Sequence, residues 1–176
     1  MSITIDPAII ESDLRACAAR YIIPRFRNLR AEEVETKSSA DDLVTIADKE
    51  MEIALTDILR RRYPDCVVIG EEAVAQGTCD LSALSDPKAT VFVLDPVDGT
   101  WNFRHGKEQF GSMAACVIGG ETRFGWILDV LKGDMYFAAK GQGAFINGTK
   151  ISVPPSPERS LKDLSGYAYF THDFRQ

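Results

Sequence analysis

The stretch VFVLDPVDGTWNF, residues 91–103, constrains the fold more than any other part of the chain. Its apolar beginning reads as a buried strand, and its end sets Asp95, Pro96, Asp98, Gly99 and Thr100 close together. Asp-Gly is a common turn pair, so taken alone this ending means no more than a bend after a strand. The alternative is a cation site. If the carboxylates of Asp95 and Asp98 turn to one side with the Val97 carbonyl between them, they form a chelate for a hard ion. Mg²⁺ needs only a few protein oxygens when water and phosphate complete its octahedron. Pro96 restricts the bend, and Gly99 lets the backbone take positive φ or approach a ligand. A helix starting at Thr100 would aim the amides of Gly99 and Thr100 at an anion. Neither reading accounts for Trp101.

What separates a metal site from a turn is convergence with other segments. The apolar run CVVIG also ends in acid, at Glu71 and Glu72, and ETKSSADDLVTIAD carries Lys37, Asp42, Thr45 and Asp48. The latter segment is β-like only at 43–46, so a loop or hairpin is expected there. An EF-hand is excluded, because Val97 falls where that loop needs its second oxygen ligand and no glutamate stands at the twelfth position. The glycines of GQGAFING do not spell GxGxxG and open no helix, so they are turn glycines.

Two N-terminal helices are expected. Asp6-Pro7 starts the first, with Ile10, Leu14, Ala18 and Tyr21 at helical spacing and Pro24 kinking or ending it. The second begins near Ile46 to Asp48, carries Met51, Leu55, Ile58 and Leu59, and closes before Pro64. Arg60 to Arg62 then complement the helix dipole as a solvated face. Residues 73–90 read as a surface loop. From Phe110 onward, short strands alternate with turn signals, Asn147-Gly148 the strongest, which predicts an antiparallel meander. The expected fold is an α/β (α+β) layered sandwich, two helices against a mainly antiparallel sheet. Residues 1–153 form one domain, and 154–176 a linker into a differently organised tail.

With 176 residues, 45% of them hydrophobic, the chain can bury a real core. A net charge of −6 argues against nucleic acid and anionic membranes as partners, and no apolar stretch is long enough to span a bilayer. Cys17, Cys66, Cys79 and Cys116 form no ligand cluster and read as reduced thiols, so a cytoplasmic location is expected. His105 reads as a surface or capping residue, and His172 has no assignment.

KSSADDLVTIAD, VVIGEE, LDPVDGTWNF and GWILDVLKGDMYFAAKGQGAFINGTKI occur in the order and spacing of the inositol monophosphatase family of Mg²⁺-dependent, lithium-sensitive phosphatases, which the chain resembles over about residues 7–153. The resemblance implies that Glu71, Asp95 and the Val97 carbonyl hold one Mg²⁺, that Asp95 and Asp98 contribute to a second, and that Glu71 touches a third, weaker ion. It implies further that Gly99 and Thr100 bind phosphate through their amides. The Thr100 hydroxyl, paired with Asp48, would take the proton from the attacking water, making Glu71, Thr100 and Asp48 the catalytic set. Lys37 would be the basic residue beside the phosphate. Asp42 and Thr45 would be supporting groups, with helix capping an equal reading for Thr45.

The same resemblance implies a small phosphorylated metabolite as substrate and a homodimer. The family continues into a C-terminal α/β layer whose WD helix start supplies another metal-ligating aspartate. Neither Trp101 nor Trp126 is followed by aspartate, so the sequence corresponds to the N-terminal portion of that pattern. Lys107-Glu108 also replaces the usual proline after the motif. Fructose-bisphosphatase and histidinol-phosphate phosphatase of the same superfamily are alternative activities, and a non-catalytic protein-association module is an alternative of a different kind.

Overall fold

The computed structural model of the chain describes residues 4–36 and 43–153. Helix α1 (Pro7–Cys17) begins as its cap predicts, with the Asp6 carboxylate accepting the Ala8 amide at 3.0 Å, and buries Ile10, Leu14 and Cys17. Pro24 does not end it abruptly. The helix first widens into a π-turn at Ala18–Ile22 and then tightens into a 3₁₀ turn at Ile23–Arg25. That distortion fits a proline that lacks a donor and crowds the carbonyl one turn back.

Strands β1 (Val34–Thr36) and β2 (Leu43–Thr45) pair antiparallel as the expected hairpin. Strand β2 runs straight into helix α2 (Ile46–Arg62), where Thr45 and Asp48 form a reciprocal capping box. The inner face of α2 buries Met51, Leu55 and Leu59, and also two acids, Asp48 and Glu52.

Seven strands follow in spatial as well as sequence order: β3 (Val67–Gly70), β4 (Thr90–Asp98), β5 (Gly111–Ile118), β6 (Glu121–Asp129), β7 (Asp134–Ala139), β8 (Gly143–Ile146) and β9 (Thr149–Ile151). Strands β3 and β4 are parallel, and every later pair is antiparallel. The β8–β9 hairpin turns on Asn147 and Gly148, at φ 49° and 78°, the left-handed pair that a two-residue turn of this kind requires.

Helices α1 and α2 cover one face of this sheet, packing Leu14, Met51, Leu55 and Leu59 against Phe92, Leu94, Cys116, Trp126 and Met135. A fully buried side chain of this size contributes about 1.5–3 kcal/mol. Among the described residues the buried cluster on the opposite face is Ile69, Val91 and Val117, so the helical side dominates the core. Further along that second face, Met113, Ile127, Tyr136 and Ile151 line an apolar groove of about 410 Å³ with Asp95 at its margin, and Ile127 is 49% exposed.

One expected loop is different. The loop expected over 73–90 lies in a β3–β4 connection of residues 71–89 that holds a short helix, α3 (Glu71–Ala75), and a 3₁₀ turn at Ser82–Ser85, and Thr90 already belongs to β4. Five residues are too few to show a helical period in sequence.

Candidate metal centre

Strand β4 delivers its carboxylates through an irregularity. Asp95 pairs with Met113 and Asp98 with Gly111, so β4 spends one more residue than β5 between these pairs, with Pro96 and Val97 forming the bulge. Successive strand residues face opposite sides, and an extra residue resets that alternation, so that Asp95 and Asp98 act on a common space. Proline suits the bulge because no ladder donor is needed there.

Parallel pairing sets the second acid in place. Gly70 is the partner of Leu94, so Glu71, the next residue and the first of α3, stands beside Asp95. The two carboxyl groups share a hydrogen bond. Burial, then the charge of Glu71 and that hydrogen bond, then Asp98 and Asp48, push the Asp95 carboxyl up to about 8. Its Oδ1 is buried and accepts no hydrogen bond.

Asp48 arrives from the first turn of α2 and is fully buried. Its Oδ2 accepts the Thr45 amide at 2.9 Å and the Thr45 hydroxyl, and its Oδ1 faces the Thr100 hydroxyl at 3.2 Å. Burial raises the Asp48 carboxyl above its ordinary range, against hydrogen bonds from Thr45 and Thr100 that favour the ionised form. The Thr100 hydroxyl also lies 2.8 Å from the Val97 carbonyl oxygen, so its one proton has two acceptors. Thr45 both caps α2 and orients Asp48.

Gly99 separates β4 from helix α4 (Thr100–Arg104), with φ 87°. The first-turn amides of α4 have no carbonyl one turn back to bond. The helix is fixed by Phe103, whose ring packs with Phe26 and Phe110 at centroid distances of 6.0 and 5.0 Å. Trp101, unexplained by the sequence, stacks on His105 at 4.1 Å and lies under the Lys107 ammonium at 4.3 Å. The His105 ring bonds the Trp101 carbonyl at 2.7 Å, a local capping role.

Glu71, Asp95, Asp98, Asp48, Thr100 and the Val97 carbonyl are thus brought to one end of β4 by four separate elements. Among the described residues, no three acidic, cysteine or histidine side chains already form a ready cation cage. What is present is a carboxyl pair bonded to each other with two further acids near enough to repel it. Lys37 and Asp42 lie outside the described residues. Sequence reasoning missed Glu52, whose position one turn after Asp48 on the buried face of α2 was the only available signal.

The sequence model of the inositol monophosphatase family matches residues 8–173. The chain belongs to that family. Inositol monophosphatase 1 of Bos taurus is 38% identical over 120 residues, which cover 68% of this chain and 42% of that protein. The fructose-1,6-bisphosphatase/inositol-1-monophosphatase of Thermotoga maritima is 32% identical over 149 residues, covering 82% of this chain and 54% of that protein. A solved IMPase/NADP phosphatase complexed with Mg²⁺ and phosphate superposes with a TM-score of 0.71 at 26% identity, over 86% of this chain and 54% of that one. The chain therefore spans about half the length of these inositol monophosphatase relatives. Its layered α+β fold is the family's, and the partial span agrees with an N-terminal portion. No helix among the described residues is long and apolar enough to cross a membrane.

Proposed function

We propose that this chain supplies the metal- and phosphate-binding half of a Mg²⁺-dependent phosphomonoesterase acting on inositol monophosphate or a related small sugar phosphate. Asp95 carries the reading: a carboxylate with one buried oxygen lacking any hydrogen bond, crowded by other acids, is a group that a divalent cation would satisfy. The surrounding donors are all oxygen, which suits a hard ion. Glu71, Asp95 and the Val97 carbonyl would hold one Mg²⁺, and Asp95 with Asp98 part of a second. Bound there, the ion supplies a water of lowered pKa and offsets the charge of the phosphate.

The chain's own groups do the rest. Asp48, held by Thr45, accepts a proton through the Thr100 hydroxyl that faces it, which makes this pair the base for a water attacking phosphorus. The Gly99 and Thr100 amides would hold phosphate oxygens, and Lys37 is the basic residue proposed for the same phosphate. We read the protein as a cytoplasmic homodimer, with the four free thiols supporting a reducing compartment. The Thermotoga relative's name favours fructose 1,6-bisphosphate as a second substrate to test.

Calorimetric Mg²⁺ titration at several pH values tests the metal reading. With the Asp95 carboxyl raised from 3.8 to about 8, the metal-free chain holds a proton at pH 7 that Mg²⁺ must displace. Proton release is expected at pH 7, with affinity rising towards pH 8 and levelling above it. Uptake without proton release, or no uptake, contradicts this account. Phosphate release from both substrates is then measured for the chain alone and for the chain continued by a relative's C-terminal half. Turnover is expected in the second form, whereas metal binding without turnover in either favours the association module.

A further inference from the structure

We infer that Glu52 is the residue that positions Glu71, and that position 70 is glycine to admit its carboxylate. The importance of this for Mg²⁺ rests on the proposed role of Glu71. Helix α3 has only five residues, far too few to persist alone, and its N-cap, Gly70, has no side chain to satisfy the first amides. Glu52 does so from a different element. Its Oε2 accepts the Glu72 amide at 2.8 Å and its Oε1 accepts the Ala73 amide at 3.0 Å, inside the fold, with Glu52 7% exposed. Negative charge at a helix N-terminus and charge-assisted bonds to its amides reinforce each other. Because Glu52 lies one turn beyond Asp48 on the same face of α2, this contact ties Glu71 and Asp48 to one rigid helix.

Gly70 completes the device. Its backbone, at φ −100° and ψ 150°, is one that any residue adopts, so conformational freedom does not explain the glycine. Space does. A Cβ there would fall 2.0 Å from Glu52 Cδ and 2.3 and 2.4 Å from its two oxygens. The carboxylate could swing away from an added methyl only by releasing the two amides it holds.

A mutant cycle on the chain tests this, with amide hydrogen exchange and Mg²⁺ affinity as readouts. G70A is expected to speed exchange at Glu72 and Ala73 at least about tenfold, with Leu55 and Leu59 of α2 unchanged, and to weaken Mg²⁺ binding about tenfold or more. E52A should do the same, and G70A should add nothing in the E52A background. Should E52A fail to fold, E52Q keeps an acceptor for one amide and turns an NH₂ towards the other, so exchange rises at one of the two only. Wild-type protection of both amides without the Glu52 carboxylate, or a G70A effect of equal size in the presence and absence of Glu52, overturns the inference. If the wild type takes up no Mg²⁺, the metal reading fails, while the exchange cycle still decides whether Glu52 holds α3.

Discussion

Replacing Asp95 by asparagine is expected to weaken Mg²⁺ binding at least about 100-fold, or about 2.7 kcal/mol, while leaving the metal-free fold as stable as wild type or more so. The two effects have opposite signs for one reason. In the metal-free chain Asp95 is buried beside Glu71, Asp98 and Asp48, and its carboxyl is pushed up to about 8 by that company. An asparagine of the same shape stays neutral among these acids at any pH without having to hold a proton, and its amide can donate to the Glu71 carboxylate. The same change deprives the cation of the one ligand that both proposed metal positions share. Thermal unfolding with and without Mg²⁺ shows the split, since a ligand that binds only the folded state raises its apparent stability. Wild type should gain melting temperature with Mg²⁺ and Asp95→Asn should not. A variant that is destabilised without metal yet still stabilised by Mg²⁺ would place the cation elsewhere.

Gly99→Ala is the second large effect, and it falls on both fold and site. At φ 87° an alanine pays the left-handed penalty of about 1–2 kcal/mol. Its Cβ would also lie 3.0 Å from the Gln109 carbonyl oxygen and 3.3 Å from Phe110 Cβ. Backbone and a ring-bearing residue packed with Phe26 and Phe103 have little room to give, so a total near 2 kcal/mol is expected. For a chain of this size that lowers the melting temperature by about 4–8 °C. Relief of the clash shifts the start of α4, so phosphate affinity should fall more than Mg²⁺ affinity, which depends on Glu71 and Asp95. Scanning calorimetry and phosphate titration in the presence of Mg²⁺ measure the two parts. Unchanged melting and unchanged phosphate binding would show that Gly99 is not held as described.

The parts of this protein legible in its sequence are those with a local signature. The Asp6-Pro7 helix start, the apolar face of α2, the apolar strand that leads into Asp95, the Asn147-Gly148 turn and the meander around it all follow from residue type and spacing within a few positions, whereas the strand's continuation to Asp98 does not. Thr45 and Asp48 announced a capping box, and the structure adds that the same aspartate faces Thr100. What could not be read depends on contacts between distant segments. Glu52 looks like any charged helix residue until α3 is placed against it, and Gly70 looks like a strand-end glycine until the Glu52 carboxylate occupies its Cβ position. The bulge at Pro96 and Val97 needs the register of β5 to be visible. Trp101 needed His105 and Lys107 to acquire a role.

The most direct test of the central claim is a crystal of the chain grown with Mn²⁺ in place of Mg²⁺, with the metal located by its anomalous scattering. The account predicts a peak bonded to oxygens of Glu71 and Asp95 and to the Val97 carbonyl, with the Asp95–Glu71 hydrogen bond opened to admit it. Ordered Glu71, Asp95 and Asp98 side chains with no metal between them at saturating Mn²⁺, or a peak held only by other residues, would contradict it.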